Sequence, residues 1–174
     1  MSESKTIVVM RHGKAEQIGA TDFERRLTER GRADAAAAGR WMAAQGIAPQ
    51  AALVSAAVRT QETWLAVAAG AEWDLVAEID EGLYAAGTDS VLDRLREVPA
   101  AHTSAILIGH NPTMASVAAV LDDGEGDPEI GTGLILDFPT SALAVFSFSG
   151  AWADLSEVSA RLVGYFVGRG ESAE

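Results

Sequence analysis

The chain has 174 residues, 48% of them hydrophobic and 22% charged, with a net charge of −12 and no cysteine. This length suits one domain with a substantial core, expected to span 1–174, and the absence of thiols excludes disulfides, thiolate nucleophiles and thiolate zinc sites. The acidic balance argues against nucleic acid or an anionic membrane as partner, and any anion it binds must be met by arginines gathered locally.

In chain order, the N-terminal Met1-Ser-Glu-Ser-Lys5 lacks the basic-then-apolar pattern of a signal peptide, and no apolar run approaches a membrane span, so a cytoplasmic protein is expected. Next comes Thr6-Ile-Val-Val-Met-Arg11-His12-Gly13. The β-branched run predicts a strand buried on both faces. Arg11 and His12 would point to opposite faces if the strand continued. Gly13 offers a turn there, since it adopts backbone angles barred to other residues. A polar loop follows over 14–27, and Thr28 caps a predicted helix over 29–45. Ala33, Ala36, Ala37, Trp41 and Ala44 line one side of it, and Gly46 and Pro49 end it.

A short strand over 51–54 leads into Ser55-Ala-Ala-Val-Arg59-Thr-Gln-Glu-Thr63 and a helix to about 69, closed by Gly70. A weak strand or extended segment is expected over 73–79, then a loop over 81–87. Thr88 or Asp89 caps a helix with Val91, Leu92, Leu95 and Val98 on one face, and Pro99 stops it. The strand over 104–108 runs directly into Gly109-His110-Asn111-Pro112. Asn111 as N-cap and Pro112 at the first helical position start a helix to about 121, with Met114, Val117, Ala118 and Leu121 as its apolar stripe. Residues 122–133 read as an acidic, glycine-rich solvated loop. It briefly imitates a calcium loop, but Pro128 stands where glycine is needed and Leu134 where a glutamate is needed. Strands over 142–148 and about 160–167 are expected to add antiparallel to the sheet.

Alternating strands and helices predict an α/β three-layer sandwich, with a mostly parallel central sheet, helices on both faces and antiparallel C-terminal strands. Ligands in such sheets gather beyond the carboxyl ends of the strands. That edge would collect Arg11-His12-Gly13, the segment from Ser55 to Arg59, the segment from Glu81 to Tyr84, and Gly109-His110-Asn111. A guanidinium suits phosphate, and a neutral imidazole is a nucleophile that phosphorus accepts.

Arg11-His12-Gly13, Leu27-Thr28-Glu29-Arg30-Gly31, Ser55 with Arg59 and Thr63, and Gly109-His110-Asn111-Pro112 together resemble the histidine phosphatase superfamily. More narrowly, they resemble its small SixA-like branch of phosphohistidine phosphatases. The likeness covers roughly 6–148 in order and spacing. It implies a phosphatase without metal or other cofactor, working through a phosphohistidine intermediate. Larger relatives carry an acid glutamate in mid-chain; Glu81 is the closest positional match, with Glu78 and Asp80 nearby.

Phosphoryl transfer rests mainly on positioning and on neutralising charge spread over three equatorial oxygens. Arg11 and Arg59 suit that grip through forked donors. His110 adds a donor and, if protonated, a charge; Gly13 and Asn111 complete the substrate-binding set, and the helix start adds backbone N–H groups. His12, with one bare nitrogen, attacks phosphorus. His12 and His110 are therefore expected in opposite protonation states. Lys14 and Arg26 could add field or simply face solvent, and His102 is read as exposed. A short chain without specificity insertions suits a histidine displayed on another protein, with the enzyme a monomer or weak oligomer. Small phosphate esters are the alternative substrates, and a non-catalytic module binding phosphorylated partners is the rival of another class.

Overall fold

The computed structural model describes residues 3–171; the first two residues of the N-terminal segment and the last three of the expected domain lie outside it. The run from Thr6 to Arg11 forms the heart of β1 (Ser4–Arg11). Ile7, Val8, Val9 and Met10 are all essentially inaccessible because neighbours cover both faces of the strand. β1 is followed by α1 (Glu29–Ala44), β2 (Ala51–Ser55), α2 (Val58–Ala71) and β3 (Glu78–Asp80). Then come a 3-10 turn at Glu81–Leu83, α3 (Thr88–Arg96), β4 (Ser104–Gly109), α4 (Thr113–Leu121), α5 (Pro128–Leu136), β5 (Ala142–Ser149) and β6 (Arg161–Val167).

The six strands form one sheet in the order β3-β2-β4-β1-β5-β6. β1 pairs parallel to β4 and antiparallel to β5; β2 pairs parallel to β3 and β4, and β6 antiparallel to β5. This is the expected sandwich, parallel-centred with antiparallel C-terminal strands. Alternation along β1 sends Ile7 and Val9 into one core, with Val91, Leu95, Val117 and Leu121 of α3 and α4. Val8 and Met10 enter the other, with Ala35, Ala38, Trp64 and Val67 of α1 and α2. α1 and α2 approach backbone to backbone: a Cβ on Gly39 would lie 2.1 Å from the Val67 carbonyl oxygen, and one on Gly70 would lie 2.2 Å from that of Ala36.

Four local expectations need correction. The acidic loop over 122–133 contains the start of a helix: Asp127 caps α5 by accepting from the Glu129 N–H (2.9 Å), with Pro128 in its first turn. Of the segment 73–79, only its end joins the edge strand β3 (Glu78–Asp80). α3 is preceded by Gly87 without a side-chain cap, in place of Thr88 or Asp89. α4 begins at Thr113, after a cis Asn111–Pro112 bond, so Pro112 precedes the helix and Asn111 is not its N-cap residue.

Candidate active site

The parallel pairing sets Arg11 opposite Gly109, so the ends of β1 and β4 stop at the same level. His12 lies just beyond that level and is 8% exposed. Its N–H donates to the Gly109 carbonyl (3.1 Å), and its own carbonyl accepts from Ser141 (3.0 Å), which holds a left-handed φ of 63° at the entry to β5. Gly13 does not take the positive φ that its composition suggested. Close approach explains it instead, since a Cβ there would sit 2.8 Å from the Gly31 carbonyl oxygen. The Gly13 N–H donates to Thr63 Oγ1 (3.0 Å), and that hydroxyl donates to the Arg59 carbonyl (2.7 Å).

His12 Nδ1 lies 2.7 Å from the Gly13 carbonyl oxygen. A carbonyl only accepts, so Nδ1 carries the proton and Nε2 keeps its lone pair. Burial pushes His12 down to about 3; the bond to Gly13 opposes this, and His110 when protonated, Arg59 and Arg11 reinforce it. The ring is a neutral base at physiological pH, as a nucleophile requires.

The His110 ring lies 5.4 Å from that of His12, centroid to centroid. His110 Nε2 meets Ser55 Oγ at 2.8 Å, while Nδ1 is buried without a partner. His110 is pushed down to about 4, first by burial and then by Arg59, Arg25 and Arg11, with Asp22 opposing. Both rings are therefore neutral at pH 7, which departs from the expected opposite states. The main cause is burial, which disfavours the charged form, and the cations around the rings add to it.

Arg59 is 5% exposed, on the first turn of α2. Its Nη1 donates to the Asp22 carbonyl (2.7 Å) and its Nη2 to Asp22 Oδ2 (3.1 Å), leaving Nε buried and unpartnered. Arg11 reaches the Phe138 carbonyl with Nη1 at 3.4 Å, and its Nε is likewise buried and unpartnered. Asn111 donates to the same Phe138 carbonyl (2.8 Å) and accepts from Ala115 N–H (3.2 Å), so both ends of its side chain hold protein groups.

The remaining residues divide clearly. Glu81 is exposed on the 3-10 turn after β3, and no contact of its side chain joins it to the two histidines. Arg26 turns away to pair with Glu62 (3.0 Å), Lys14 is exposed, and the half-buried His102 receives the Trp152 indole N–H on its carbonyl. Sequence reasoning missed Asp22, Tyr84 as an individual residue, and Ser141. The Tyr84 hydroxyl donates to Asp22 Oδ2, and its ring stands edge-on to His110 at 5.5 Å and 5.9 Å from the Arg59 guanidinium. The group from Glu81 to Tyr84 was legible as edge-forming, but nothing in it singled out the tyrosine. A cavity of about 440 Å³ opens at the opposite ends of the strands, lined by Thr6, Trp41, Ile47 and Ser104 among others and by no titratable side chain. Among the described residues, no group of three or more His, Asp or Glu is placed to hold a metal ion.

Two histidines and two arginines converging at the carboxyl ends of a parallel-centred sheet define a phosphoryl-handling α/β protein. Residues 7–122 match the histidine phosphatase superfamily, branch 1, and the chain belongs to that superfamily. Within it the chain falls in the SixA-like branch, a class of phosphatases. A candidate phosphohistidine phosphatase SixA from Nakamurella multipartitia superposes with a TM-score of 0.85 at 30% identity, covering 96% of this chain and 98% of that one. Another, from Agrobacterium tumefaciens, gives 0.77 at 26% identity, covering 93% and 97%. Among sequence relatives, the uncharacterized protein Rv1276c of Mycobacterium tuberculosis is 36% identical over 162 residues, covering 92% of this chain and all of that one.

Proposed function

We propose that this phosphatase removes the phosphoryl group from phosphohistidine displayed on a protein, through a phosphohistidine intermediate on His12. One observation carries the reading. Arg11 Nε, Arg59 Nε and His110 Nδ1 are buried nitrogens without hydrogen-bond partners, and all three belong to groups whose charges act on His12. Buried polar atoms are rarely left unpaired in a native protein, and three such donors match the three equatorial oxygens of a phosphoryl group in transfer. The Ser55 hydroxyl, which receives the Ala57 N–H at 3.5 Å, is free to donate to His110 Nε2. That sets His110 as the Nδ1–H tautomer, a donor toward phosphate. A phosphoryl dianion offsets the repulsion from the arginines, so substrate binding favours protonation of His110.

In the first step His12 Nε2 attacks phosphorus, a new N–P bond forms, and the leaving group departs with its bonding pair. In the second, water attacks phosphorus, the N–P bond returns its electrons to Nε2, and phosphate leaves with the proton balance met by solvent. Glu81 would protonate an oxygen leaving group; a leaving imidazole makes a smaller demand. The similarity to proteins described as candidate phosphohistidine phosphatases supports the N–P substrate. The proposal also makes the enzyme metal-independent and cytoplasmic, acting as a monomer or weak oligomer.

Turnover of an aryl phosphate in the presence of chelator, lost in His12→Ala, tests the chemistry. Acid-labile, base-stable label trapped on His12 tests the intermediate. Phosphate-competed binding without turnover would assign the chain to the non-catalytic module, and brisk cleavage of small phosphate esters with none of phosphohistidine proteins would overturn the substrate.

A further inference from the structure

The mechanism above gives no role to Asp22, a charged group that contacts both Arg59 and Tyr84. Asp22 lies midway along the loop between β1 and α1, and its side chain is 55% exposed. Its carboxylate is nonetheless fixed by three donors: Arg59 Nη2 (3.1 Å), Arg25 Nε (3.0 Å) and the Tyr84 hydroxyl. The backbone beside it is fixed as well, since the Phe23 carbonyl accepts from Val58 N–H (3.0 Å) and the Phe23 ring meets Tyr84 edge-on at 5.0 Å. A negative charge is thus mounted against the Nη end of the Arg59 guanidinium, whose Nε is buried without a partner. The Tyr84 ring whose hydroxyl holds this carboxylate stands 5.5 Å from His110, whereas His12 is 8% exposed at the floor of the pocket. The exposed carboxylate therefore stands at the rim, and a group displaced in line from the buried His12 leaves toward that rim.

We propose that Asp22 is the leaving-group residue of this site, accepting a hydrogen bond from the far ring nitrogen of a substrate phosphohistidine and repelling leaving groups that bear negative charge. The inference rests on the phosphohistidine reading and deepens it. In a phosphohistidine the ring nitrogen away from phosphorus has a lone pair that takes a proton from water. A carboxylate facing that nitrogen favours the N–H form. When the N–P bond breaks, its pair goes to the nitrogen that held phosphorus, the far nitrogen keeps its proton, and the ring departs as neutral imidazole. No acid is then needed at the breaking bond, which accounts for Glu81 standing exposed and, among the described residues, without a side-chain partner. Tyr84 is the positioning residue that holds the carboxylate in place.

The test compares Asp22→Asn and Tyr84→Phe with the wild type on three probes: a phosphohistidine peptide, 3-phosphoglycerate as a carboxylate-bearing ester, and a neutral aryl phosphate. For Asp22→Asn the ratio of kcat/KM for the peptide to that for the anionic ester should fall about tenfold, the scale of one charge contact in a partly solvated site. The basic limb of the pH profile should move down by about one unit on the peptide and stay in place on the aryl phosphate. Tyr84→Phe should shift both readouts in the same direction by a smaller factor. Equal losses on all three probes, or a ratio constant within about twofold, would overturn the role of Asp22. The underlying substrate reading fails separately, through a wild type that prefers 3-phosphoglycerate; a rise for that ester in Asp22→Asn would still identify the charge filter.

Discussion

Thr63 offers the sharpest test of how the fold holds the nucleophile. It is fully buried on α2, and one hydroxyl both accepts from the Gly13 N–H and donates to the Arg59 carbonyl. Thr63→Val keeps the shape and deletes the oxygen. The Arg59 carbonyl, inside a helix, retains its backbone donor, so the loss concentrates on one buried N–H left without a partner. Such a loss costs about 1–3 kcal/mol, which for a chain of this size lowers Tm by roughly 2–12 °C. Urea unfolding followed by the fluorescence of the four tryptophans measures it directly. The same residue presents the Gly13 carbonyl that fixes His12 Nδ1–H, so kcat on an aryl phosphate should fall about tenfold or more, within the range expected of a small misplacement of a reacting group. Thr63→Ser, which keeps the hydroxyl, should recover most of both. A Thr63→Val enzyme within about 0.5 kcal/mol of wild type and unchanged in kcat would refute the link from α2 to the nucleophile.

Further expectations concern charge and packing. His12 and His110 stay neutral in the fold down to about 3 and about 4, whereas unfolded histidine protonates near pH 6.5 (about). The unfolded chain binds more protons between those limits, so this stability is complete above about pH 6.5 and is lost as pH falls toward the folded values. Urea midpoints should drop between pH 7 and 5 (about) and drop less in His110→Gln; parallel curves would contradict the assignment. Arg59→Lys loses the fork and should reduce kcat/KM on an aryl phosphate by about 10–100-fold, from about 1.5–3 kcal/mol of charge-assisted bonding. Gly39→Ala puts a methyl 2.1 Å from the Val67 carbonyl oxygen, so it should destabilise by about 1–3 kcal/mol. In an unconstrained helix the same change stabilises, so the sign measured by urea unfolding decides.

What could be read from the chain depended on how local the cause was. β1 and β4 were legible because runs such as Ile7-Val8-Val9 and Ile106-Leu107-Ile108 are buried on both faces and need no partner to identify them. Arg11, His12, Arg59 and His110 stood out because each stands at, or within a few residues of, the carboxyl end of a strand and the topology fixes which strand ends share an edge. α5 was hidden by Gly131 and Gly133, poor helix formers, within an acidic segment; Asp127 before Pro128 was the start signal that went unweighed. The clasp of Asp22 to Tyr84 joins residues 62 positions apart, both in loops whose paths no periodicity encodes. The role of Gly13 was misread for a related reason, since close approach of Gly31 is a tertiary fact with no local trace.

β1 has a partner along each side and a helical layer over each face. Its amides should therefore be among the last in the protein to exchange with solvent, opening only when the whole molecule does. The nucleophile is anchored to the most rigid part of the chain, while Asp22 and Tyr84 hang from its periphery. Substitutions at that rim can retune which phosphorylated partner is accepted while leaving the foundation of the chemistry undisturbed.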